Sequence, residues 1–257
     1  MVNIISSTQL IKELEQRQSC HELHVAISHR SYLWNDGGIE HCLRRESEFA
    51  KLAKIDFLHL CPVEAIDHGG RAYSLIEVCL NNVFIGVTGL DGFSAKLFVL
   101  NPNISFLHSS LGFESGSLIR LLLCLRQCGP ILQWVHDLAF ACESVTLVRN
   151  GLACGVPLLG APSCYQCRFE NSRVSVMHYY DIIERLCNIQ LFPSSSAKLR
   201  YNLSIGARGR KCLLSQFVVP HYIVNCLPSV TVRPCLIPED EPVGVAFFGH
   251  SVSHKGW

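Results

Sequence analysis

The most informative part of the sequence is residues 23–60, which read LHVAISHRSYLWNDGGIEHCLRRESEFAKLAKIDFLHL. The apolar run at 23–28 has the composition of a buried strand, and Asp36-Gly37-Gly38 marks the loop that follows it. Apolar residues then recur at helical spacing over residues 39–52, and the charged residues are expected on the opposite face of that helix. A second apolar run at 55–60 predicts another strand. The segment therefore predicts a βαβ unit with two parallel strands.

The rest of the chain continues this alternation. The runs Tyr73–Leu80 and Val83–Thr88 flank Asn81-Asn82, two residues that tolerate positive φ, and together they predict a hairpin. Further strands are predicted at 104–108, 131–135, 189–192 and 216–219, and further helices at 8–18, 117–126, 176–186 and 196–203, the last capped by Ser196. The predicted fold class is α/β, with a Rossmann-like, mostly parallel sheet, an inserted hairpin and a Cys-rich loop.

Composition excludes several classes of protein. The 257 residues carry 22 Lys and Arg against 21 Asp and Glu, so the basic surplus expected of a nucleic-acid-binding protein is absent. An apolar content of 49% excludes a mainly disordered chain. The sequence has no uncharged apolar run of 18 residues, so no membrane span is expected. Residues 1–20 lack the pattern of a signal peptide, which predicts a cytoplasmic, reducing location.

Four of the 14 cysteines are spaced like metal ligands. Cys142, Cys154, Cys164 and Cys167 form C-x11-C-x9-C-x2-C in a loop rich in Gly and Pro, and four thiolates would complete a tetrahedral zinc site. The alternative is that a Cys-rich chain contains one CxxC by chance. A redox pair is disfavoured, because this CxxC does not open a helix after a strand. Most other cysteines are expected to be small buried hydrophobes, namely Cys61, Cys79, Cys124, Cys187 and Cys226.

Candidate ligand-binding residues follow the predicted strands, and ligands of parallel α/β sheets lie beyond the carboxyl ends of the strands. The residues so placed are Gly37, Gly38, His108, His136, Asp137, Ser194 and His221. The two glycines would let the backbone approach a phosphate, although two adjacent glycines also occur in ordinary loops. His136 could reach a cleft or could be a hydrogen-bonded core histidine, and Asp137 could instead cap a helix or loop.

Five short motifs resemble, in order, those of one enzyme family. They are Ser28-His29 with Gly37-Gly38-Ile39-Glu40; Val135-His136-Asp137 with the cysteine loop; Phe192-Pro193-Ser194-Ser195; Val219-Pro220-His221; and Val245–His250 with Lys255-Gly256. From about residue 23 to the end, the chain resembles the N-terminal part of retaining glycosyltransferases of the GT-B fold, family four. The subgroup it resembles carries a VHD…C…C-G-x-P…C-x-x-C loop.

The resemblance implies a site and a reaction. Such an enzyme transfers a hexosyl group from a nucleotide sugar, with retention, to a sugar or lipid-linked sugar acceptor held between two Rossmann-like domains. The resemblance gives His136 and Asp137 catalytic roles near the transferred sugar. It gives substrate-binding roles to Gly37, Gly38, Ser194, His250 and Lys255. A lipid-linked acceptor would place the protein peripherally at the inner membrane surface.

The same resemblance divides the chain into an N-terminal extension (1–22), a first Rossmann-like domain (23–225), a linker (226–242) and the start of a second domain (243–257). A complete second domain needs roughly 100 further residues. The expectation is therefore an acceptor-side domain that is inactive until a separate C-terminal half supplies the donor site. The alternatives are a non-catalytic, zinc-stapled binding module or one half of a split enzyme. An enzyme with catalytic zinc is disfavoured, because four thiolates leave no open position.

Overall fold

The computed structural model describes residues 4–63, 74–136, 140, 148–149, 152–153, 170–206 and 214–220. The helices are α1 Ser7–Arg17, α2 Gly38–Ala53, α3 Leu90–Ser94, α4 Ser115–Cys128, α5 Glu170–Leu186 and α6 Ser195–Gly206, with a 3₁₀ turn at Leu97–Leu100. The strands are β1 Leu23–Ile27, β2 Asp56–Val63, β3 Leu75–Leu80, β4 Val83–Gly89, β5 Ile104–Leu107, β6 Ile131–Trp134, β7 Val148–Arg149, β8 Leu152–Ala153, β9 Ile189–Phe192 and β10 Ser215–Val218.

Within the described residues, eight strands form one sheet in the order β10-β9-β6-β5-β1-β2-β3-β4. Neighbouring strands are parallel except at β2–β3 and β3–β4. The chain first builds outward from β1 to β4 and then returns to β5 on the other side of β1. The strand order therefore reverses between β1 and β5, which is where parallel α/β sheets place their ligand crevice. The predicted α/β class and mostly parallel sheet are confirmed.

The two faces of the sheet are covered by different helices. Helix α2 connects β1 to β2, and across this connection the sheet grows toward β4. Helices α4, α5 and α6 follow β5, β6 and β9, and across these connections the sheet grows toward β10. Right-handed crossovers therefore put α2 on one face and the other three helices on the second face. The buried side chains agree: Leu43 of α2 packs with Ala26 and Phe57, while Leu121 of α4 belongs to a separate and larger cluster that includes Leu58.

The predicted helix at 39–52 forms, but its buried face differs from the prediction. Its buried residues are Glu40, Leu43, Ser47 and Ala50, whereas Phe49 and Leu52 are 60% and 80% exposed. The expectation that charges would fill only the solvent face was wrong, because a buried carboxylate, Glu40, lies on the inner face. This face of the sheet carries imidazole and hydroxyl groups, so polar side chains of α2 find partners there.

The predicted hairpin is confirmed. Asn81 and Asn82 connect β3 to β4 with φ of 50° and 66°, the left-handed conformation that a two-residue turn of this kind needs. The Asn82 Oδ1 accepts hydrogen bonds from the Tyr32 hydroxyl and the Ser47 hydroxyl, each at 2.6 Å. The turn is therefore fixed to α2 and to the loop before it.

The segment 1–22, expected to be an N-terminal extension, contains a helix that belongs to the main core. Leu10, Ile11 and Leu14 of α1 are at most 4% exposed and pack in the same cluster as the central strands. At the start of α6 the predicted cap was wrong by two residues. The Ser194 hydroxyl, rather than that of Ser196, accepts the capping hydrogen bond, which the Ala197 amide donates at 3.1 Å.

Two further expectations concern residues beyond those described. The linker at 226–242 and the start of a second domain at 243–257 both lie outside the described residues. Within the described part of the chain, no helix is both long enough and apolar enough to cross a membrane.

Candidate functional site

The polar centre of the structure lies at the carboxyl ends of β5 and β6. His108 directly follows β5, and His136 lies two residues beyond β6. Successive residues of a strand point to opposite faces, so His108 and His136 share a face with Trp134. The two imidazoles are stacked with ring centroids 5.3 Å apart, and the Trp134 indole is 5.3 Å from the His136 ring. The end of the sheet thus carries a stack of three aromatic rings.

A chain of hydrogen bonds joins these rings to α2. The Nδ1 of His108 lies 3.1 Å from the Nε2 of His136, and the Nε2 of His108 lies 2.9 Å from the Oε2 of Glu46. The side chain of His108 is fully buried, whereas that of Glu46 is 21% exposed. His108 is therefore a buried link between a carboxylate on one side and the partly buried His136 on the other.

The second carboxylate oxygen of Glu46 is also engaged. The Trp134 indole donates its Nε1 hydrogen to Oε1 of Glu46 at 3.0 Å, and the Cys42 thiol, one helical turn earlier, lies 3.7 Å from the same oxygen. Both carboxylate oxygens of Glu46 thus have hydrogen-bonding partners. This fixes the carboxylate in one orientation against His108.

His59 on β2 extends the polar face toward β1. The Ser28 hydroxyl donates to the Arg30 carbonyl at 2.7 Å, so it accepts from the Nε2 hydrogen of His59, which lies 2.8 Å away. His59 is completely buried, and burial, aided by nearby His108, lowers its pKa to about 3. His59 is therefore neutral at physiological pH. Its Nδ1 has no hydrogen-bond partner among the described residues.

Cys42, Glu46 and His108 could hold a metal ion. One ligand atom from each lies within 4.8 Å of the others, and zinc accepts all three ligand types. The present distances are those of hydrogen bonds, however. Two ligands on one tetrahedral zinc would be roughly 3.4 Å apart when they are nitrogen and oxygen, against the 2.9 Å found here. Burial and the charge of Glu46 also raise the pKa of the Cys42 thiol, which disfavours the thiolate that binds metal.

A cavity of about 30 Å³ opens beside these groups, lined among others by His136, Ser110 and Tyr180. The Ser110 hydroxyl lies 2.8 Å from the Tyr180 hydroxyl. A cavity of this volume has room for about two water molecules. A larger ligand would lie outside it, at the open carboxyl edge of the sheet.

The structure places the other predicted site residues at separate positions. Gly37 ends the predicted loop after β1 as the N-cap of α2, and Gly38 is the first residue of that helix. A side chain on Gly37 would collide with the Glu40 carboxylate. That carboxylate is 4% exposed and lies 3.8 Å from the Nε2 of His29. Ser194 is exposed and caps α6. Phosphate and substrate binding by these residues stays a prediction.

Several predicted site residues lie outside the described residues. They are Asp137 among the catalytic candidates, His221 among the candidates at strand ends, His250 and Lys255 among the substrate-binding candidates, and the four proposed zinc ligands Cys142, Cys154, Cys164 and Cys167.

The sequence interpretation found His136 and placed His108 at a strand end, but it missed Glu46, Trp134 and His59. A usable signal was present: Phe106-x-His108 and Trp134-x-His136 repeat an aromatic-x-histidine pattern at two adjacent parallel strands. Period-two spacing puts each pair on one face, so the four rings had to lie together.

Comparison of the chain with family models, with curated proteins and with solved structures finds no match.

Proposed function

We propose that this chain is the acceptor-side Rossmann-like domain of a nucleotide-sugar-dependent, retaining glycosyltransferase, and that His136 contacts the sugar. The observation that carries the proposal is the position of His136. His136 lies at the carboxyl end of β6, one strand from the point where the strand order reverses. Nδ1 of the buried His108 lies 3.1 Å from Nε2 of His136. Parallel α/β sheets bind their ligands at this edge.

The chemistry of the site supports a sugar ligand. Nε2 of the partly buried His136 lies 3.1 Å from Nδ1 of His108, so Nδ1 of His136 is the nitrogen that would contact a sugar hydroxyl. Aromatic rings such as Trp134 provide an apolar surface beside it. In retaining transfer, charge develops on the leaving diphosphate, and positioned donors stabilise it. We assign substrate binding, including contacts to this diphosphate, to Gly37, Gly38, Ser194, His250 and Lys255. Asp137 is proposed as a catalytic residue together with His136.

The proposed cofactor is a structural zinc held by Cys142, Cys154, Cys164 and Cys167. Its task would be to staple the loop that follows His136 and so to shape the acceptor side of the cleft. The donor would be a nucleotide sugar and the acceptor a sugar or lipid-linked sugar. A lipid-linked acceptor would hold the protein peripherally at a membrane, and a separate C-terminal half is the proposed partner.

Acceptor binding gives the sharpest test, because His136 is the proposed contact. The ring C–H resonances of His136 would be followed by NMR while the octyl glycosides of glucose, galactose, mannose and N-acetylglucosamine are titrated. We expect at least one glycoside to shift these resonances. In calorimetric titrations of wild type and variant with that glycoside, His136→Asn should weaken binding about tenfold, the equivalent of one hydrogen bond. The matched control is His178→Asn, because His178 is exposed on α5.

The outcomes separate the candidate functions. Binding that depends on His136, followed by hexosyl transfer from UDP- or GDP-sugars with the proposed C-terminal half present, supports the transferase. Binding without transfer under the same conditions supports the non-catalytic binding module. If no glycoside shifts the His136 resonances, or if His136→Asn binds as well as the wild type, the proposal is wrong.

A further inference from the structure

We infer that Glu46 and Trp134 determine which ring nitrogen of His136 carries its proton, and that they act through His108. Neither Glu46 nor Trp134 belongs to a motif that the sequence analysis assigned to the site. The inference deepens the proposed function, since it says how the proposed sugar-contacting imidazole is prepared, but its test needs no substrate.

The first step is the orientation of the Glu46 carboxylate. An indole nitrogen can only donate, and the Trp134 Nε1 hydrogen points at Oε1 of Glu46. The Cys42 thiol donates to the same oxygen. Oxygen Oε2 is therefore the one that faces His108, and as part of a carboxylate it can only accept.

The second step is the tautomer of His108. Its Nε2 lies 2.9 Å from Oε2 of Glu46 and must carry a hydrogen to bond to it. In the neutral imidazole the other nitrogen, Nδ1, then has a lone pair and no hydrogen. Because the side chain is fully buried beside two other aromatic rings, this tautomer has no competing solvent partner.

The third step transfers this choice to His136. Its Nε2 lies 3.1 Å from the lone pair on Nδ1 of His108, so His136 donates from Nε2 and keeps its own lone pair on Nδ1. The basic nitrogen of His136 is thus Nδ1. In the proposed transferase, this nitrogen would accept a hydrogen bond from a sugar hydroxyl. Glu46, Trp134 and His108 are accordingly positioning residues.

The variant Glu46→Gln gives a decisive test, because an amide has one accepting end and one donating end. Trp134 and Cys42 both donate toward the Oε1 position, so the amide oxygen has to occupy that position. The amide NH₂ then faces Nε2 of His108 and forces that nitrogen to accept. The imidazoles of His108 and His136 should therefore each switch to the other tautomer, so that His136 carries its proton on Nδ1.

The experiment is a two-bond ¹H–¹⁵N correlation spectrum of ¹⁵N-histidine-labelled protein at neutral pH, with His136→Asn used to assign the signals. In the wild type we expect Nε2 of His136 to be protonated and Nδ1 not to be. Glu46→Gln should reverse this pattern. Glu48→Gln, a matched change at an exposed position of the same helix, should leave it as in the wild type.

A wild-type spectrum with the proton on Nδ1 of His136, or on both nitrogens, would overturn the inference. A folded Glu46→Gln protein with the wild-type pattern would overturn it as well. The wild-type spectrum decides the first arm even if the variant does not fold. Since no sugar is added, failure here leaves the glycoside titration as a separate test of the proposed function.

Discussion

The indole of Trp134 and the carboxylate of Glu46 are joined by a hydrogen bond of 3.0 Å that connects β6 to α2. Trp134 is 7% exposed, and its ring also lies 5.3 Å from that of His136. One side chain therefore performs two tasks: it packs against the imidazole and it orients the carboxylate behind it. Trp134 and Glu46 are 88 residues apart in sequence, so this bond also connects distant parts of the chain.

We predict that Trp134→Phe lowers the free energy of unfolding by about 1.5–3 kcal/mol, because it removes a hydrogen bond to a charged, partly buried group and keeps an aromatic ring. Urea unfolding measures this change. Trp34→Phe is the control, since Trp34 is 67% exposed, and it should change stability by less than about 0.5 kcal/mol. In combination with Glu46→Ala the loss should be non-additive, and strict additivity would contradict the bond.

Two variants at Asn82, in the turn between β3 and β4, can distinguish the cost of backbone strain from the cost of lost hydrogen bonds. Asn82→Ala should destabilise the protein by about 2–4 kcal/mol, because it leaves the buried hydroxyls of Tyr32 and Ser47 without their acceptor and places alanine at a φ of 66°. Asn82→Gly loses the same acceptor without the backbone strain. It should therefore be more stable than Asn82→Ala by about 1 kcal/mol. Equal stabilities in thermal or urea unfolding would contradict the assigned role of the positive φ.

The fold was largely predictable because its signals are local. The strand at 23–28, the glycine loop and the strand at 55–60 each carry their own periodicity, and Asn81-Asn82 specifies a turn by its backbone preference alone. The crossover order of the strands was not predictable in the same way, since it depends on which strands pair over long distances.

The site was less predictable because its key contacts cross between elements. Glu46 lies among Arg44, Arg45 and Glu48, and a sequence pattern assigns such a run to solvent. Only the packing of α2 over β5 and β6 brings its carboxylate to His108 and Trp134. His59 shows the same limit: it sits in an apolar strand, and its partner Ser28 is 31 residues away.

The buried His59 makes a pH-dependent contribution to stability. Its pKa is lowered from 6.5 to about 3 in the folded protein, so between these values the unfolded state binds more protons than the folded state. The contribution of neutral His59 to stability is therefore fully present above pH 6.5. It is lost as the pH is lowered from 6.5 toward 3, by up to about 1.4 kcal/mol per pH unit.

We predict that His59→Gln, whose amide can still donate to the Ser28 hydroxyl, makes stability less dependent on pH in this window. Unfolding in urea between about pH 7.5 and about pH 4.5 should show a smaller loss for the variant than for the wild type. His41→Gln, at an exposed position of α2, should keep the wild-type slope. If His59→Gln loses stability with falling pH as steeply as the wild type does, burial of neutral His59 is not the cause of that loss.

The zinc content of cysteine variants can locate the proposed zinc site. We predict about one zinc per chain in anaerobically purified protein, bound by Cys142, Cys154, Cys164 and Cys167. Cys164→Ser should remove the metal and lower the melting temperature, because binding energy of a structural zinc is also folding energy. Cys124→Ser should do neither, because Cys124 is a partly exposed thiol on α4 and is not one of the four proposed ligands.

Cys42→Ser is the critical comparison, because Cys42, Glu46 and His108 are the described residues that could share an ion. We expect this variant to keep its zinc, since burial and Glu46 raise the pKa of the Cys42 thiol and the His108–Glu46 distance is that of a hydrogen bond. Metal analysis of the three variants checks this. Loss of zinc in Cys42→Ser with retention in Cys164→Ser would move the ion to α2 and β5. His108 would then be a ligand through Nε2. Absence of zinc from the wild type would contradict the proposed zinc site in the cysteine loop.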